Sequence, residues 1–251
     1  MEPREPLQFY SSPLAGVDRS ELQGKLIVIE GPDAVGRTTQ VAQLRQWLEQ
    51  EGHAVLDTGM ARSALAGKGI KVAKGGNTLG PITMTLFYTT DFADRLENEI
   101  IPALRAGFVV LIDRYIFSIM ARAIARGEDR RWIEQVAGFA LVPHAVYYLR
   151  ADVKELVSRV VLGRGAFDFW ESGMDLRFGR DMYESFVRYQ TRLIRALDSM
   201  AKKYNFTVLD ASQPAEQIFA ELQSLISSGP LDHVRQAGRR GRRPARVNGG
   251  G

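Results

Sequence analysis

Four short runs along the chain are almost wholly apolar and rich in β-branched residues. Runs of this kind, without alternation of polar and apolar residues, are typical of strands buried on both faces in a parallel sheet covered by helices. Helical stretches lie between them, so the sequence predicts a doubly wound α/β fold. The β-branched content argues against the alternative, a six-helix bundle. The runs are KLIVIE (25–30), FVVLID (108–113), AVYYLR (145–150) and FTVLD (206–210), with HAVLDT (53–58) as a weaker fifth.

Apolar residues at helical spacing mark the helices between these runs. The segment 81–105 is long enough to span several turns, and residues 182–200 carry a longer apolar stripe before the last strand. The marker residues are Val41, Leu44 and Leu48, then Leu96, Ile100 and Leu104, then Met182, Phe186, Tyr189, Leu193, Leu197 and Met200, and finally Ile218, Leu222 and Leu225.

The chain divides into a globular body and two appendages. With 251 residues and 45% hydrophobic content, we expect one domain over residues 24–228. Residues 1–23 form an N-terminal extension, and the tail 229–251, which is poor in apolar residues, is expected to be disordered. Inside the body, residues 163–180 mix glycine, aromatic residues and arginine without clear periodicity, and we expect a mobile loop there.

The composition excludes several classes of site. Because the chain has no cysteine, it has no disulfide, thiolate metal site or sulfur nucleophile. His53, His144 and His233 are scattered and form no cluster for metal binding or general-base catalysis. No window approaches the ~18 apolar residues that a membrane span needs, and the first residues do not resemble a signal peptide. We expect a soluble, cytoplasmic protein with no membrane partner.

The positive charge of the chain belongs to its tail. The net charge is +4 and the pI is about 9.4. Residues 232–251 contain six arginines and one aspartate, which leaves 27 basic and 28 acidic residues elsewhere. The arginines at 235–246 allow a weak contact with nucleic acid, although an Arg/Gly-rich terminus is also often only a flexible end.

Residues 31–39, GPDAVGRTT, lie between a predicted strand and an amphipathic helix. Two glycines separated by four residues, followed by a basic and a hydroxyl residue, have the spacing of a Walker A loop. Such a loop points backbone N–H groups at a bound phosphate, and the following helix adds its positive end. A glycine turn kept only for packing is the alternative. The predicted ATP-phosphate ligands are Gly31, Ala34, Val35, Gly36, Arg37, Thr38 and Thr39.

The loop departs from the usual pattern at position 37, where arginine replaces lysine. Arginine keeps the positive charge and adds a planar fork of donors, but it is bulkier and less free to follow a migrating phosphoryl group. We predict that Arg37 is catalytic and that the Thr38 hydroxyl binds Mg²⁺.

The run FVVLIDRY supplies a second element of the site. Asp113 ends a predicted buried strand, so it is expected at the carboxyl edge of the sheet, where α/β proteins bind ligands and where a Mg²⁺-linked carboxylate is needed. Arg114 could hold the phosphate of an acceptor through bidentate contacts. A salt-bridged surface Asp–Arg pair is the alternative.

From about Lys25 to Leu225 the chain resembles the thymidylate kinases, which are P-loop nucleoside monophosphate kinases. The DRY-x-x-S element (113–118) and DASQP (210–214) are the more telling matches. The similar pieces, in the family's order, are LIVIEGPDAVGRTTQ, LFYTTDFADRLENEIIPAL, GFVVLIDRYIFS, YYLRADVKELVSRV, RGAFDFWESG and VLDASQPAEQI.

The resemblance implies a three-layer α/β/α fold whose five-stranded parallel sheet has the order 2-3-1-4-5. It implies transfer of the γ-phosphoryl group of ATP, with Mg²⁺, to a nucleoside monophosphate, dTMP in the first place, by a homodimer. Asp33 would approach the sugar of the acceptor and Arg114 its phosphate. Arg164 would be a catalytic residue in a lid at about 163–180, and Asp113 a catalytic and metal-binding residue.

Besides Arg37, the acceptor side departs from the family pattern. Phe87 matches a family Phe, but Asp91 or Phe92 stands where the family carries a base-reading arginine. Arg95, one turn after Asp91, could reach the acceptor or merely pair with Asp91. The end of the second strand, DTGMARSALAGKG, is also atypical. Phe87, Asp91 and Arg95 are therefore predicted acceptor ligands. The sequence supports a nucleotide kinase more strongly than it supports thymine as the base of the acceptor.

Three other functions remain open at this point. The chain could be a pseudoenzyme that binds nucleotide through the Arg37 loop but turns it over poorly, or a kinase for a different nucleotide. Its arginine-rich tail could also be the functional part, as an electrostatic arm on RNA, DNA or an acidic partner.

Overall fold

The computed structural model describes residues 6–76 and 79–231. Five parallel strands form one sheet in the order β2-β3-β1-β4-β5, as predicted. The tail predicted to be disordered from residue 229 begins later, because residues 229–231 form a turn and Leu231 is buried in a hydrophobic core. The rest of the predicted tail and its nucleic-acid contact lie outside the described residues. The strands are β1 (Lys25–Glu30), β2 (Val55–Gly59), β3 (Val109–Asp113), β4 (Ala145–Arg150) and β5 (Thr207–Asp210).

Helices connect the strands and cover the sheet. The long helical segment predicted at 81–105 is interrupted by a π-helical turn at Leu96–Ile100, and Arg19–Glu21 and Met174–Leu176 form 3₁₀ turns. The α-helices are α1 (Arg37–Gln50), α2 (Gly67–Gly75), α3 (Pro81–Arg95), α4 (Ile101–Arg105), α5 (Ile116–Ala125), α6 (Arg130–Val136), α7 (Val153–Gly163), α8 (Met182–Lys203) and α9 (Ala215–Ser228).

The sheet separates two hydrophobic cores. Alternate residues of β1 point to opposite faces, so Leu26 and Val28 pack into one core, with α3, α5 and α8, while Ile27 and Ile29 pack into the other. Because both faces are covered, the central strands need no polar positions, which explains their continuous apolar sequence.

The edge strand β5 differs from the prediction of burial on both faces. Only Leu209 is buried in β5, whereas Thr207 and Val208 are exposed. The strand pairs with β4 alone, so one of its sides lacks a neighbouring strand. The apolar run predicted the strand correctly, but its composition did not distinguish an edge from the centre of the sheet.

The described part of the N-terminal extension packs against the body. Phe9 forms an isolated antiparallel bridge with Leu141, and the Val142 amide donates to the Gln8 carbonyl at 2.7 Å. The Tyr10 ring contacts Phe117 edge to face. The boundary between residues 23 and 24 stays a prediction.

The segment 163–180 has little regular structure, as predicted, but several of its residues are packed. Trp170 and Ser172 are buried, and the Trp170 indole donates to the Lys74 carbonyl of α2 at 3.1 Å. Residues 6–76 and 79–231 contain no helix that combines the length and the apolar composition of a membrane span.

Candidate active site

The loop that follows β1 has the backbone geometry of a phosphate-binding turn. A side chain at Gly31 would place its Cβ only 2.7 Å from the Leu149 carbonyl oxygen, so only glycine fits there. Gly36 has φ +96° and caps the N-terminus of α1, a left-handed conformation that glycine adopts without strain. Since α1 starts at Arg37, the first amides of a 14-residue helix are directed to this turn.

Arg37 folds back over its own loop. Its Nε donates to Asp113 Oδ1 at 2.9 Å, and its Nη1 donates to the carbonyl oxygens of Gly31 (2.7 Å) and Pro32. The side chain is 6% exposed. Burial and the neighbouring Arg114 charge lower the pKa of Arg37, whereas Asp113 opposes both. The side chain lies at the loop, and its catalytic role stays a prediction.

Asp113 and Thr38 form the pair expected of a Mg²⁺ site. In the sheet, Asp113 pairs with Ile29, so its carboxylate comes to the strand ends beside the loop, and Thr38 Oγ1 donates to Asp113 Oδ2 at 2.9 Å. Burial would raise the pKa of Asp113, but Arg37 and Arg114 outweigh it and lower the pKa below its ordinary value.

These residues fit a magnesium ion bound together with a nucleotide. Mg²⁺ ordinarily takes one or two protein oxygens and completes its shell with phosphates and water. A carboxylate and an adjacent hydroxyl supply those oxygens. In the part of the chain that the structure describes, no group of three or more His, Asp or Glu side chains forms an all-protein metal cage.

Asp33 is the centre of a second buried cluster. Its Oδ1 accepts from Arg114 Nη2 and, at 2.7 Å, from Arg122 Nη2, and its Oδ2 accepts from Gln190 Nε2 at 2.9 Å. Burial opposes ionisation, but Arg114 and Arg122 outweigh it and hold the pKa of Asp33 well below its ordinary value. The sequence analysis missed Arg122 and Gln190. Arg122 could have been found as the single charged residue in the apolar helix α5.

The start of α5 is held by a buried carboxylate at the end of β1. Glu30 accepts from the backbone amides of Tyr115 (2.8 Å) and Ser118 (3.2 Å) and from the Ser118 hydroxyl (2.7 Å). Arg114, between β3 and α5, has φ +70°, a conformation that is strained for a side-chain-bearing residue. The Glu30 contacts stabilise this turn and thereby aim Arg114 at Asp33. Burial raises the pKa of Glu30.

Comparisons with known proteins show to which family the chain belongs. A model of the family "Thymidylate kinase" matches residues 29–222. The chain belongs to the thymidylate kinase family. It is 32% identical to "Probable thymidylate kinase 2" of Saccharolobus solfataricus, over 82% of this chain and 96% of that protein. It is 33% identical to "Thymidylate kinase" of Clavibacter michiganensis subsp. michiganensis, over 83% and 99%, and 32% identical to "Probable thymidylate kinase" of Pyrococcus horikoshii, over 71% and 91%.

In this thymidylate kinase family member, the predicted acceptor residues on α3 make contacts within the protein. Asp91 is fully buried and accepts from the amides of Ala61 (3.0 Å) and Ser63 (2.9 Å) and from Arg95 Nε (3.1 Å). The pairing that the sequence left open for Arg95 is therefore present. Phe87 is half-buried and lies close to Gly69 of α2, where an added Cβ would be 3.4 Å from the Phe87 ring. Assignment of Phe87, Asp91 and Arg95 to the acceptor stays a prediction.

The predicted lid residue Arg164 follows α7 and pairs with Glu171, with Nη1 2.7 Å from Oε2. Its side chain is 52% exposed, so the pair is worth little in stability. The Glu171 carbonyl accepts from Gln190, which also binds Asp33, and this links the segment to the loop through α8. Burial and the Asp33 charge raise the pKa of Glu171. The catalytic role of Arg164 stays a prediction.

Arg126 and Arg159, which the sequence analysis did not single out, fix neighbouring segments. Arg126 pairs with Asp175 at 3.0 Å and donates to the Trp170 carbonyl, so it ties the segment 163–180 to α5. Arg159 Nη1 donates to the Val35 carbonyl at 2.9 Å and supports the phosphate loop from α7. Neither could be predicted from spacing, because their partners lie far away in the sequence.

Proposed function

We propose that this protein transfers the γ-phosphoryl group of ATP to dTMP and so produces dTDP. The observation that carries the proposal is the joint position of Arg37, Thr38 and Asp113 at the glycine-bounded loop in a chain of the thymidylate kinase family. A loop amide cradle, a cation, a hydroxyl and a strand-end carboxylate are the parts that phosphoryl transfer from a nucleotide requires.

On the donor side, the amides of the loop 31–39 and the start of α1 would hold the phosphates of ATP. Arg37 would leave the carbonyl oxygens of Gly31 and Pro32 and donate to the outer phosphates instead. Thr38 and Asp113 would hold Mg²⁺, which neutralises charge on the phosphates when it is bound.

On the acceptor side, Arg114 would bind the phosphate of dTMP, since its guanidinium already lies beside the loop through Asp33. Asp33 itself is engaged by two arginines and Gln190. We therefore propose that Asp33 orients these side chains, in addition to its predicted approach to the sugar. Phe87 remains our candidate for contact with the base.

The transfer needs no covalent intermediate. The protein would hold the acceptor oxygen in line with the γ-phosphorus and stabilise the charge of the transition state with Arg37 and Arg164. Closure of the segment 163–180 would exclude water, which would otherwise hydrolyse ATP.

We also infer a cytoplasmic location, which the lack of cysteine fits, and a homodimer formed through helices, as the family resemblance implies. Support for the dimer comes from large apolar side chains that α2 and α3 expose, namely Val72 (78%), Ile82 (55%) and Leu86 (45%). Exposed apolar side chains that lie close together mark interaction surfaces, and α2 packs against α3. Light scattering coupled to gel filtration measures the mass in solution, and a monomer at micromolar concentration would contradict the inference.

An acceptor panel tests the proposed function. The protein is mixed with Mg-ATP and, separately, with dTMP, dUMP, dCMP, dAMP and dGMP, and ADP is measured together with the nucleoside diphosphate. We expect ADP and dTDP in equal amounts, with dTMP as the best acceptor, and loss of both products in Asp113→Asn. If another monophosphate is preferred, the acceptor assignment is wrong. If none of the monophosphates increases the formation of ADP, the kinase proposal fails and the pseudoenzyme alternative replaces it.

A further inference from the structure

Two guanidinium groups converge on one oxygen atom beside the phosphate loop. Asp33 Oδ1 accepts from Arg114 Nη2 and from Arg122 Nη2, the latter at 2.7 Å. The Asp33 side chain is fully buried, and those of Arg114 and Arg122 are 15% and 12% exposed. Two positive charges are thus brought within a few ångströms of each other in a poorly solvated place.

The one carboxylate that the described residues place in contact with both arginines does not balance this charge. Asp33 compensates one of the two arginines. Asp113 pairs with Arg37, and Glu171 pairs with Arg164. Asp33, Arg114 and Arg122 taken together therefore carry one excess positive charge, while Glu30, the other buried carboxylate near Arg114, is engaged by amides and a hydroxyl at the start of α5. Buried charges are ordinarily paired, so an unbalanced guanidinium at this position favours an anionic ligand.

Each of the two guanidinium groups also has a hydrogen-bond donor without a partner among the described residues. Arg114 Nη1 and Arg122 Nε are buried and have no hydrogen-bond partner within residues 6–76 and 79–231. Unsatisfied buried donors are rare and costly, because each has lost its water without a replacement. One unused donor on each guanidinium is what an oxyanion placed against both side chains would fill.

We propose that Arg122 is a second guanidinium ligand of the acceptor's phosphate and acts beside Arg114. This inference rests on the proposed function, since it assumes that a nucleoside monophosphate binds next to the loop. A dianionic phosphate offers three acceptor oxygens and would take up both the unused donors and the excess charge. Asp33, held on its other oxygen by Gln190, keeps the two guanidinium groups oriented before the ligand arrives.

The competing explanation is that Arg122 only anchors Asp33 and thereby the loop. Both roles predict a less stable protein when Arg122 is removed, so stability alone does not separate them. They differ in the ligand that is affected. A phosphate ligand contributes to binding of the monophosphate and not of the nucleoside, whereas a loosened loop weakens both.

The test measures binding of dTMP and of thymidine by isothermal titration calorimetry. The proteins are the wild type, Arg122→Gln, Arg122→Lys and the control Arg131→Gln, which removes one charge from an exposed position on α6. We expect Arg122→Gln to bind dTMP roughly 10- to 100-fold more weakly, the size of one lost hydrogen bond between charged groups. Thymidine affinity should change by less than about 3-fold, with Arg122→Lys intermediate and Arg131→Gln like the wild type.

Other outcomes overturn the inference. An equal loss of dTMP and thymidine affinity would make Arg122 a structural anchor, and unchanged dTMP affinity would remove it from the site altogether. If the wild type binds neither dTMP nor any other monophosphate, the proposed function fails, and this result is distinct from a failure of Arg122 alone.

A measurement without substitutions covers the case in which the variants do not fold. In a crystal structure of the wild-type protein with dTMP, Arg122 should donate a hydrogen bond to a phosphate oxygen of dTMP together with Arg114. A phosphate that contacts Arg114 but lies beyond hydrogen-bonding distance of Arg122 would contradict the proposal.

Discussion

Two regions of the molecule each contain a buried arginine–aspartate pair, and the pairs look alike when considered alone. Arg37 and Asp113 lie 2.9 Å apart with side chains 6% and 9% exposed, and Arg95 and Asp91 lie 3.1 Å apart with side chains 1% and 0% exposed. They differ in what else the carboxylate binds. Asp113 accepts from the hydroxyl of Thr38, whereas Asp91 accepts from two backbone amides of the turn after β2.

This difference separates a site that can exchange ligands from an ion pair that only stabilises the fold. A hydroxyl and a guanidinium can move away when a metal ion or a phosphate arrives. Backbone amides cannot move without unfolding the turn. A buried ion pair therefore says little about function until the remaining partners of its carboxylate are known.

Arg37→Ala should have the largest effect on activity. Without the guanidinium, charge on the transferring phosphoryl group loses its main protein cation, and we expect kcat with Mg-ATP and dTMP to fall about 1,000-fold or more. The matched control is Arg45→Ala, which removes an exposed arginine from the same helix and should leave kcat within about 2-fold. Normal turnover in Arg37→Ala would show that the loop does not act through this residue.

Asp91→Ala should instead affect stability. It leaves Arg95 buried without its carboxylate and the amides of Ala61 and Ser63 without an acceptor, so the free energy of unfolding should fall by about 3–5 kcal/mol. Urea titration followed by circular dichroism measures this loss, and Glu97→Ala, on an exposed side chain of the same helical segment, should change it by less than about 0.5 kcal/mol. If stability is unchanged but the KM for dTMP rises, Asp91 contacts the acceptor and the two pairs are functionally alike.

Acid should reduce the contribution of the Asp33 charge to the free energy of unfolding. The pKa of Asp33 in the folded protein lies below the ordinary value of 3.8, so its contribution to stability is present above pH 3.8 and is lost as the pH falls further. The difference in unfolding free energy between the wild type and Asp33→Asn should therefore shrink below about pH 4. A difference that stays constant between pH 7 and pH 3 would mean that the charge of Asp33 does not stabilise the fold.

Arg37→Lys should have the smallest effect of the four. Lysine restores the usual residue of such loops and keeps the charge, so we expect kcat to stay within about 10-fold of the wild type, or to rise. A loss as large as that of Arg37→Ala would show that the planar fork of the guanidinium, and not its charge alone, is required.

The sequence predicted those parts of the site that are local in the chain. Gly31 to Thr39 are one continuous loop and helix start, and Asp113 ends a run whose apolar composition marks a strand, so the local pattern sufficed for both. Arg122 and Gln190 come from α5 and α8 and meet Asp33 only through the packing of these helices on the sheet. Their contact depends on tertiary structure, for which the sequence holds no periodic signal.

The fold shows the same limit. The apolar runs predicted the strands, yet the exposure of Val208 depends on which strand lies at the edge of the sheet. The π-helical turn at Leu96–Ile100 was hidden because apolar residues continue at helical spacing through it.

The most direct test of the central claim, that the loop with Arg37 holds the phosphates of ATP, is a crystal structure with Mg²⁺ and a non-hydrolysable ATP analogue. We predict that the guanidinium of Arg37 moves from the carbonyl oxygens of Gly31 and Pro32 to oxygens of the outer phosphates, and that Asp113 and Thr38 lie beside the metal ion. A triphosphate bound elsewhere, with the contacts of Arg37 unchanged, would contradict the account.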